Sequence, residues 1–325
     1  MIQNKRAASG DVEKSIMGKN NNNEIFLKSD FRNNKNGAPF LSVIIVNYNH
    51  GAFLEEAIRS VLRQTCQDFE LIIVDGGSTD QSVEVIRKYS TYLSWWCSEK
   101  DNGQSHAFNK GFARATGKFL TWLNADDLLF PNVVEALKKA HHAHPGCLWF
   151  TGNFIRFIGS TQRINEVHWG VHYLPQWLQN THSPVAVHGP SSFFTKSLYL
   201  EVGKINEALH LNMDTDLWRK FIVAGVKQRR LSCFCYAFRM HEASKTAEFG
   251  NHTLSESIKR RFEEEDKISC ASTGYVYWPF MRQCVLLWRI FDGSLLRHFY
   301  YKWFLKGRLL TQKPFDFQNL ASSDL

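Results

Sequence analysis

Three predominantly apolar runs stand out in the first half of the chain. They cover residues 41–46, 69–74 and 118–123. Short runs this rich in Val, Ile, Leu and Phe are typical of strands that are buried on both faces of a parallel sheet. Between them lie segments whose apolar residues recur at helical spacing, with charged residues on the opposite face. This alternation predicts an α/β fold with a doubly wound, mostly parallel sheet.

A polar cluster follows each of the three apolar runs. The clusters are residues 47–50, 75–80 and 124–127, and the second and third contain several carboxylates. Open α/β sheets bind their ligands beyond the carboxyl ends of the strands, so three polar clusters at such ends predict a binding site there. No Gly-x-Gly-x-x-Gly follows the first run, which excludes the usual nicotinamide-binding turn.

Six segments resemble, in order and spacing, the motifs of the family 2 glycosyltransferases, inverting enzymes with the GT-A fold. The resemblance runs from about residue 40 to about residue 250 and is to the bacterial polysaccharide or cell-envelope type. It implies transfer of a sugar from a nucleotide-sugar donor, with UDP the expected nucleotide, to a hydroxyl of a saccharide or lipid-linked acceptor. The segments are Ser42–Asn49, Val74–Asp80, Ser98–Gln104, Asn109–Asp127, Asn212–Trp218 and Phe238–Lys245.

Five residues are assigned to the donor nucleotide. By the resemblance, Asp75 is the carboxylate that accepts a hydrogen bond from the base edge. Tyr48 is placed to cover the base face, Asp101 and Gln104 to close the pocket from the next loop, and Asn124 to contact the ribose or act as an uncharged ligand. A simpler alternative is that Asp75 caps the following helix.

The segment from Asn124 to Asp127 occupies the place of the family's metal-binding Asp-x-Asp. A hard divalent cation, Mn²⁺ or Mg²⁺, prefers such oxygens and would bridge them to the donor's diphosphate. Asp126 is the first choice as ligand and Asp127 the second, and His241 could complete the shell or pair with phosphate. The alternatives are that the acidic pair caps the next helix and that His241 is an ordinary surface residue. Asn124 departs from the family pattern, which has Asp there.

Asp214 and Asp216 precede a helical segment in the part of the chain that resembles the acceptor side. By the resemblance Asp214 is the general base that takes the proton of the acceptor hydroxyl, and Asp216 faces elsewhere as a cap or orienting partner. The alternative is that both are carboxylates stabilised by a helix dipole. The acceptor contacts themselves are expected within residues 150–212, as a sugar-stacking wall of Trp169, Tyr173, Trp177, His188 and Ser191–Ser192.

Positive charge is concentrated at the two ends of the chain. Residues 1–36 hold seven Lys and Arg against four Asp and Glu, and residues 281–313 hold seven against one. Length and an apolar fraction of 44% allow one large domain or two. The expected division is a flexible leader (1–38), a GT-A glycosyltransferase domain (39–250) and a helical C-terminal extension rich in aromatic and basic residues (251–325).

Residues 281–313 interleave aromatic and basic side chains. Such a pattern fits nucleic acid, an anionic membrane surface, or a helix packed on its own domain. Nothing else in the chain supports nucleic acid, so peripheral membrane contact and internal packing remain open. Scattered cysteines without metal or disulfide spacing favour a reducing compartment. With no signal peptide and no long apolar stretch, we expect a cytoplasmic protein that could work at the inner face of the membrane.

Two rival functions share part of this pattern. A sugar-1-phosphate nucleotidylyltransferase has a related architecture, but it should carry a Gly-rich, Arg-containing loop after the first strand, where this chain has residues 47–51. A non-catalytic nucleotide-sugar-binding protein would keep Asp75 but could lose Asp126 or Asp214, and all three are present.

Overall fold

The computed structural model describes residues 37–169, 189–242, 256–275 and 281–310. Nearly all of the predicted leader lies outside these ranges. In the described residues, nine strands form one sheet. They are β1 (Leu41–Asn47), β2 (Phe69–Asp75), β3 (Trp95–Ser98), β4 (Phe119–Asn124), β5 (Leu128–Leu129), β6 (Trp149–Ile158), β7 (Arg163–His168), β8 (Ser192–Thr195) and β9 (Gln228–Met240).

The α-helices of the described chain lie on both faces of this sheet. They are α1 (Gly51–Leu62), α2 (Ser82–Lys88), α3 (Gln104–Arg114), α4 (Val133–Ala143), α5 (Lys196–Glu201), α6 (Met213–Val223), α7 (Glu256–Thr273), α8 (Met281–Phe291) and α9 (Ser294–Leu305). Short 3₁₀ turns cover Ser90–Tyr92 and Gly189–Ser191.

The strand order is β3-β2-β1-β4-β8-β6-β9-β5, with β7 paired to β6. The first four strands are all parallel, and every residue of β1 and β2 is buried. Alternate residues of β1 enter two different cores. Val43 and Ile45 contact the core that includes α1 and α4, whereas Ile44 and Val46 contact the core that includes α3 and α6. The prediction of a doubly wound parallel sheet is therefore confirmed for this part of the chain.

The remaining strands pair in a mixed way that the sequence did not predict. β8 is antiparallel to both β4 and β6, β7 is antiparallel to β6, and β6 is parallel to β9. The short β5 pairs antiparallel with β9. As a result, β9 brings its carboxyl-terminal residues beside the loop that follows β4.

Aromatic stacking fixes α6 on the sheet. The indole of Trp218 lies between those of Trp122 on β4 and Trp149 on β6, with ring centroids 5.6 and 5.5 Å away and interplanar angles of 3° and 17°. All three indoles are almost completely buried. Offset stacks of this kind combine large apolar burial with a defined geometry, so they set the position of the helix that carries Asp214.

The C-terminal helices also pack on the sheet and on α6. The chain after α9 adds to the edge of β7, where Gly307 donates its N–H to Ile164 O (2.7 Å) and Ile164 donates to Arg308 O (2.9 Å). Leu305 and Leu310 are buried in the first core. None of the described helices is both long and apolar enough to cross a bilayer. The division of the chain at residue 250 stays a prediction.

Candidate active site

Asp75 ends β2 and is fully buried within a ring of donors. Its Oδ1 accepts hydrogen bonds from Asn47 Nδ2 (2.6 Å) and Ser78 Oγ (2.5 Å). Its Oδ2 accepts from Ser98 Oγ (2.6 Å), Ser78 N (2.9 Å) and Gly77 N (3.2 Å). Burial alone would raise the pKa of Asp75, but the hydrogen bonds from Ser78, Ser98 and Asn47 outweigh it and lower the pKa. The carboxylate is therefore ionised and fixes the loop after β2.

The alternative that Asp75 caps the next helix is wrong. The helix α2 begins at Ser82, whose N–H donates to Asp80 Oδ1 at 3.0 Å. The other oxygen of Asp80 accepts from Gly51 N at the start of α1 (2.8 Å). Asp80 thus accepts hydrogen bonds from N–H groups at the starts of both helices, whereas Asp75 accepts its hydrogen bonds from the loop after β2 and from the adjacent strands.

Tyr48, Gly76 and Asp101 are neighbours at the same edge of the sheet. Tyr48 is 64% exposed. A Cβ on Gly76 would lie 3.3 Å from Tyr48 Cδ2 and 2.7 Å from Asp101 Oδ2, so a side chain there would displace the Asp101 carboxylate. Asp101 Oδ1 accepts a hydrogen bond from Gly103 N (2.8 Å), which holds the loop before α3. The open aromatic face beside a side-chain-free backbone is the geometry that a stacked base requires.

Asn124 links the predicted nucleotide residues to the predicted metal residues. Its Oδ1 accepts from Gln104 Nε2 (3.1 Å), and its Nδ2 donates to Asp127 Oδ2 (3.0 Å). A carboxylate at position 124 could not donate to Asp127 and would repel it. This hydrogen bond is a physical reason for the departure from Asp-x-Asp.

Asp127 points into the protein. It is fully buried, and its Oδ1 accepts from the backbone N–H of Arg239 on β9 (3.0 Å). Burial first, and then the charge of Asp126, raise its pKa well above the ordinary range. Both oxygens already accept hydrogen bonds from protein groups, so the role of Asp127 as a second metal ligand stays a prediction.

Asp126, which follows β4, and His241, which follows β9, form a pair. Asp126 Oδ2 lies 3.0 Å from His241 Nε2, and both side chains keep a small exposed fraction. The imidazole packs on Phe53, 4.5 Å between ring centroids, and lies edge-on to His50. A carboxylate oxygen and an imidazole nitrogen suit Mn²⁺. In the described part of the chain no group of three His, Cys, Asp or Glu side chains is arranged around a metal position.

The acidic pair does not cap the following helix, so that alternative is also wrong. The helix α4 begins at Val133, and the N–H groups of Val133 and Val134 donate to Gln64 Oε1 at 3.1 and 3.2 Å. Gln64 from the end of α1 performs the capping that Asp126 and Asp127 could have performed.

Arg239 is a residue whose part in the site the sequence analysis missed. Its guanidinium is almost completely buried, donates from Nε to Asp126 O (2.8 Å) and pairs with Glu56 on α1. It also lies over the rings of Phe53 and Phe157. Arg239 therefore ties the turn after β4 to α1 and β9. Its place beside His241 in the sixth motif was the only available signal.

Asp214 and Asp216 both lie in the first turn of α6, where the helix dipole favours negative charge. Asp214 is partly exposed and accepts from Thr215 N (2.7 Å), and burial raises its pKa. Asp216 is fully buried, with its Oδ2 2.9 Å from Lys220 Nζ. The two carboxylates thus occupy different environments, and Asp214 is the one that a substrate could reach.

Tyr236 is a buried phenol on which several of these carboxylates act electrostatically. The phenol is fully buried on β9, and burial followed by the charge of Asp127 raises its pKa well above the ordinary value. The charges of Asp214 and Asp126 act on the same phenol in the same direction. Three carboxylates thus act on one buried phenol, although 87 positions separate Asp214 from Asp127 in the chain.

Glu265 holds the segment that leads into α6. Glu265 lies on α7. Its Oε2 accepts hydrogen bonds from three consecutive backbone N–H groups, those of residues 210, 211 and 212, at 3.1, 2.7 and 3.0 Å. These bonds lower the pKa of Glu265, although its burial acts in the opposite direction and is the largest single influence. Asn212 Nδ2 also donates to Phe262 O (3.0 Å). Nothing in the sequence pattern pointed to Glu265, because a run of three glutamates is typical of a solvated helix face.

The predicted acceptor wall is wrong for the residues that the structure describes. Trp169 is buried and stacks on Tyr301 of α9, with 4.5 Å between ring centroids. Ser191 and Ser192 are fully buried, and Ser192 Oγ accepts from the indole of Trp149 (2.8 Å). The other three wall residues, Tyr173, Trp177 and His188, lie outside the described residues.

Comparison with known protein sequences finds similarity over part of the chain. Residues 42–199 match the family model described as glycosyl transferase family 2. An uncharacterized glycosyltransferase of Rickettsia typhi is 28% identical over 197 residues, which cover 57% of this chain and 59% of that protein. A PGL/p-HBAD biosynthesis glycosyltransferase of Mycobacterium bovis is 41% identical over 96 residues, 29% of this chain and 38% of that one. The alignments therefore span less than two thirds of these relatives.

Solved structures with the same fold exist. S. aureus TarS (residues 1–349), crystallised with UDP-GlcNAc, superposes with a TM-score of 0.54 at 20% identity, over 68% of this chain and 64% of that one. The same protein with UDP gives a TM-score of 0.52 at 18% identity, over 68% of each chain. At this identity the likeness concerns the fold, and it confirms the predicted GT-A architecture.

Proposed function

We propose that this chain is a family 2 glycosyltransferase, an inverting enzyme that transfers a sugar from a nucleotide-sugar donor to a hydroxyl of a saccharide or lipid-linked acceptor. We take UDP as the donor nucleotide. The observation that carries the proposal is the Asp126–His241 pair, together with the partly exposed carboxylate of Asp214, whose charge acts on the same buried phenol, Tyr236, as that of Asp126.

The donor nucleotide is proposed to lie beyond β1, β2 and β4. Tyr48 covers the base face, and Gly76 leaves room for the base beside Asp101. Because five donors already surround Asp75, its contribution in the free protein is to shape the loop, and a base N–H would share its oxygens. Gln104 and Asn124, hydrogen-bonded to each other, face the ribose.

A divalent cation, Mn²⁺ or Mg²⁺, would be held by Asp126 and His241 with oxygens of the donor diphosphate, and Asp127 is the second carboxylate candidate. When bound it would offset the negative charge of the departing diphosphate. The chain's own contribution is to fix these ligands. Arg239 holds the Asp126 backbone, Asn124 holds Asp127, and Phe53 packs against the imidazole of His241.

Asp214 is proposed to deprotonate the acceptor hydroxyl. As the hydroxyl oxygen bonds to the anomeric carbon, the bond from that carbon to the diphosphate oxygen breaks on the opposite face, and the hydroxyl proton passes to Asp214. A raised pKa favours this step, because a more basic carboxylate accepts the proton more readily. Inversion at the anomeric carbon follows from this single displacement.

Thermal stabilisation by a panel of nucleotide sugars, with and without Mn²⁺, tests the donor side. We expect one UDP-sugar to raise the melting temperature more than its free sugar does, and more strongly with Mn²⁺. The stabilising donor is then incubated with saccharide and lipid-linked acceptors, and nucleoside diphosphate release and the anomeric configuration of the product are measured. Stabilisation without release for any acceptor would favour a non-catalytic nucleotide-sugar-binding protein. Release of pyrophosphate from a nucleoside triphosphate and a sugar phosphate would favour a nucleotidylyltransferase.

A lipid-linked acceptor would give contact with a membrane surface a purpose. We propose that this contact is peripheral and runs through residues 281–313, of which the structure describes 281–310.

A further inference from the structure

The two helices α8 and α9 carry apolar side chains on the face that points to solvent. Among the α8 residues whose burial the structure describes, the exposed ones are 283, 286, 287, 290 and 291, a spacing that puts them on one side of the helix. Four of these five are large and apolar, and Phe291 is 91% exposed. A helix that packs on a globular domain normally turns such a stripe inward, so an exposed apolar stripe on α8 is unusual.

The next helix, α9, repeats this arrangement. Its exposed apolar residues stand at positions 296, 299, 300 and 303, again at helical spacing, and Trp303 is 84% exposed. We call the combined surface the hairpin face, defined by Leu286, Leu287, Ile290, Phe291, Leu296, Phe299, Tyr300 and Trp303. These eight are more than half of the fifteen large hydrophobic side chains that are exposed in the described chain. Apolar patches of this density mark interaction surfaces.

The opposite side of the helix pair is fixed to the domain. Leu305 and Leu310 are buried in the core, and Tyr301 stacks on Trp169. Arg163 Nη1 donates to Gly307 O (2.7 Å), beside the backbone bonds between residues 307–308 and β7. The hairpin face therefore points outward because the other side already has its packing partners.

The border of the hairpin face is cationic. Residues 281–310 contain six Lys and Arg and a single acidic residue, Asp292. Arg297, Lys302 and Lys306 are exposed on α9 next to the apolar stripe. Two copies of the chain pairing through this face would bring like charges together, which disfavours a symmetric dimer. An anionic lipid surface is complementary to both the apolar centre and the basic border, and Trp and Tyr favour its interfacial region.

We infer that the hairpin face docks the protein on the surface of an anionic phospholipid bilayer. The helices lie along the surface, the aromatic side chains of Phe291, Phe299 and Trp303 enter the boundary between headgroups and acyl chains, and Arg297, Lys302 and Lys306 meet lipid phosphates. The inference gives a structural basis to the membrane contact proposed above, but it does not depend on sugar transfer.

Co-sedimentation of the full chain with vesicles tests the inference, with no nucleotide or acceptor present. We expect binding to phosphatidylglycerol-containing vesicles at low salt, weaker binding at high salt, and little binding to pure phosphatidylcholine. Reversing three charges, Arg297→Glu, Lys302→Glu and Lys306→Glu, should lower the partition coefficient by about a hundredfold, since each basic residue near the surface contributes about fivefold. The matched control reverses three exposed cations elsewhere, Arg87→Glu, Lys227→Glu and Lys267→Glu, and should bind almost as the parent does.

A second pair of variants tests the apolar part. Leu287→Ser, Phe291→Ser and Trp303→Ser together should weaken vesicle binding, while the control Leu200→Ser with Val223→Ser, exposed on α5 and α6, should not. Circular dichroism confirms that each variant is folded. The inference is overturned if the folded parent fails to bind anionic vesicles at low salt. An equal loss of vesicle binding in the test and control variants would also overturn it. So would sedimentation velocity that shows a dimer of the parent which the three Ser substitutions abolish. None of these results bears on the transfer assay, whose failure would be seen separately.

Discussion

The two halves of the sheet hold their functional carboxylates in different ways. In the parallel half, Asp75 is surrounded by Asn47, Ser78 and Ser98, which come from its own loop and the two adjacent strands. In the mixed half, Asp127 is held by β9, 112 residues away, and the segment before Asp214 by Glu265, 53 residues or more away. The donor side is thus built from neighbouring motifs, whereas the base side depends on packing by distant parts of the chain. Substitutions in the two halves should therefore separate donor binding from transfer.

The largest effect is expected at Asp214. Asp214→Asn removes the proton acceptor and almost no volume, so turnover should fall by about 10²–10⁴-fold while donor affinity stays at the parental value. Steady-state kinetics and donor titration check this together, with the exposed Glu201→Gln on α5 as control. If the variant turns over within a few-fold of the parent, the base lies elsewhere, and Asp216 is the first residue to examine.

A smaller loss of transfer is expected at Glu265, which we treat as a positioning residue. Glu265→Gln removes the charge that holds the backbone of residues 210–212, so Asp214 should shift and kcat should fall by about 10–100-fold. The donor dissociation constant should not change. Glu264→Gln, exposed on the same helix, is the control. Equal losses of kcat and donor affinity would indicate a general structural defect instead.

Asp75→Asn should weaken donor binding, in contrast to the two substitutions above, which should slow transfer. The amide has a single acceptor oxygen for the five donors around it, so the loop of residues 76–78 should loosen and donor affinity should fall by about tenfold. The matched control is Asp68→Asn, because Asp68 lies at the amino end of β2 and Asp75 at its carboxyl end. Unchanged donor affinity in Asp75→Asn, measured by calorimetry, would argue against a donor site at this loop.

The dependence of turnover on pH should show the smallest effect. Burial raises the pKa of Asp214 above the ordinary value of 3.8, and a general base works only when it is unprotonated. Activity should therefore decline on acidification at a pH above that value. The profile of kcat against pH measures this, and a profile that is flat down to the ordinary aspartate range would contradict the assignment.

The sequence predicted the parallel half because the information there is local. Predominantly apolar runs mark β1, β2 and β4, and the parallel register places Asn47 directly opposite Asp75. The alternative that Asp126 and Asp127 cap α4 is wrong because a distant side chain, Gln64, accepts from the first N–H groups of that helix. Glu265 could not be found, since its partners are backbone groups and its neighbours are two exposed glutamates.

The C-terminal helices illustrate another limit of sequence patterns. Aromatic and basic interleaving was visible, and it left packing and membrane contact as alternatives. The structure supplies the packing, through Tyr301 and Leu305, and at the same time leaves the apolar residues of the hairpin face exposed. A periodic pattern gives the stripe on a helix, but only the surrounding fold decides whether the stripe points inward or outward.

Calorimetric titration of a UDP-sugar in the presence of Mn²⁺, on Asp126→Asn and Glu265→Gln beside the parent, tests the central claim most directly. We predict that the parent and Glu265→Gln bind the donor with equal affinity, because Glu265 holds the segment before Asp214 and not the residues proposed for the donor and the cation. Asp126→Asn should lose the Mn²⁺-dependent part of the affinity while its melting temperature without ligand stays near that of the parent. Equal affinity of Asp126→Asn and the parent, or weakened binding by Glu265→Gln alone, would contradict the account.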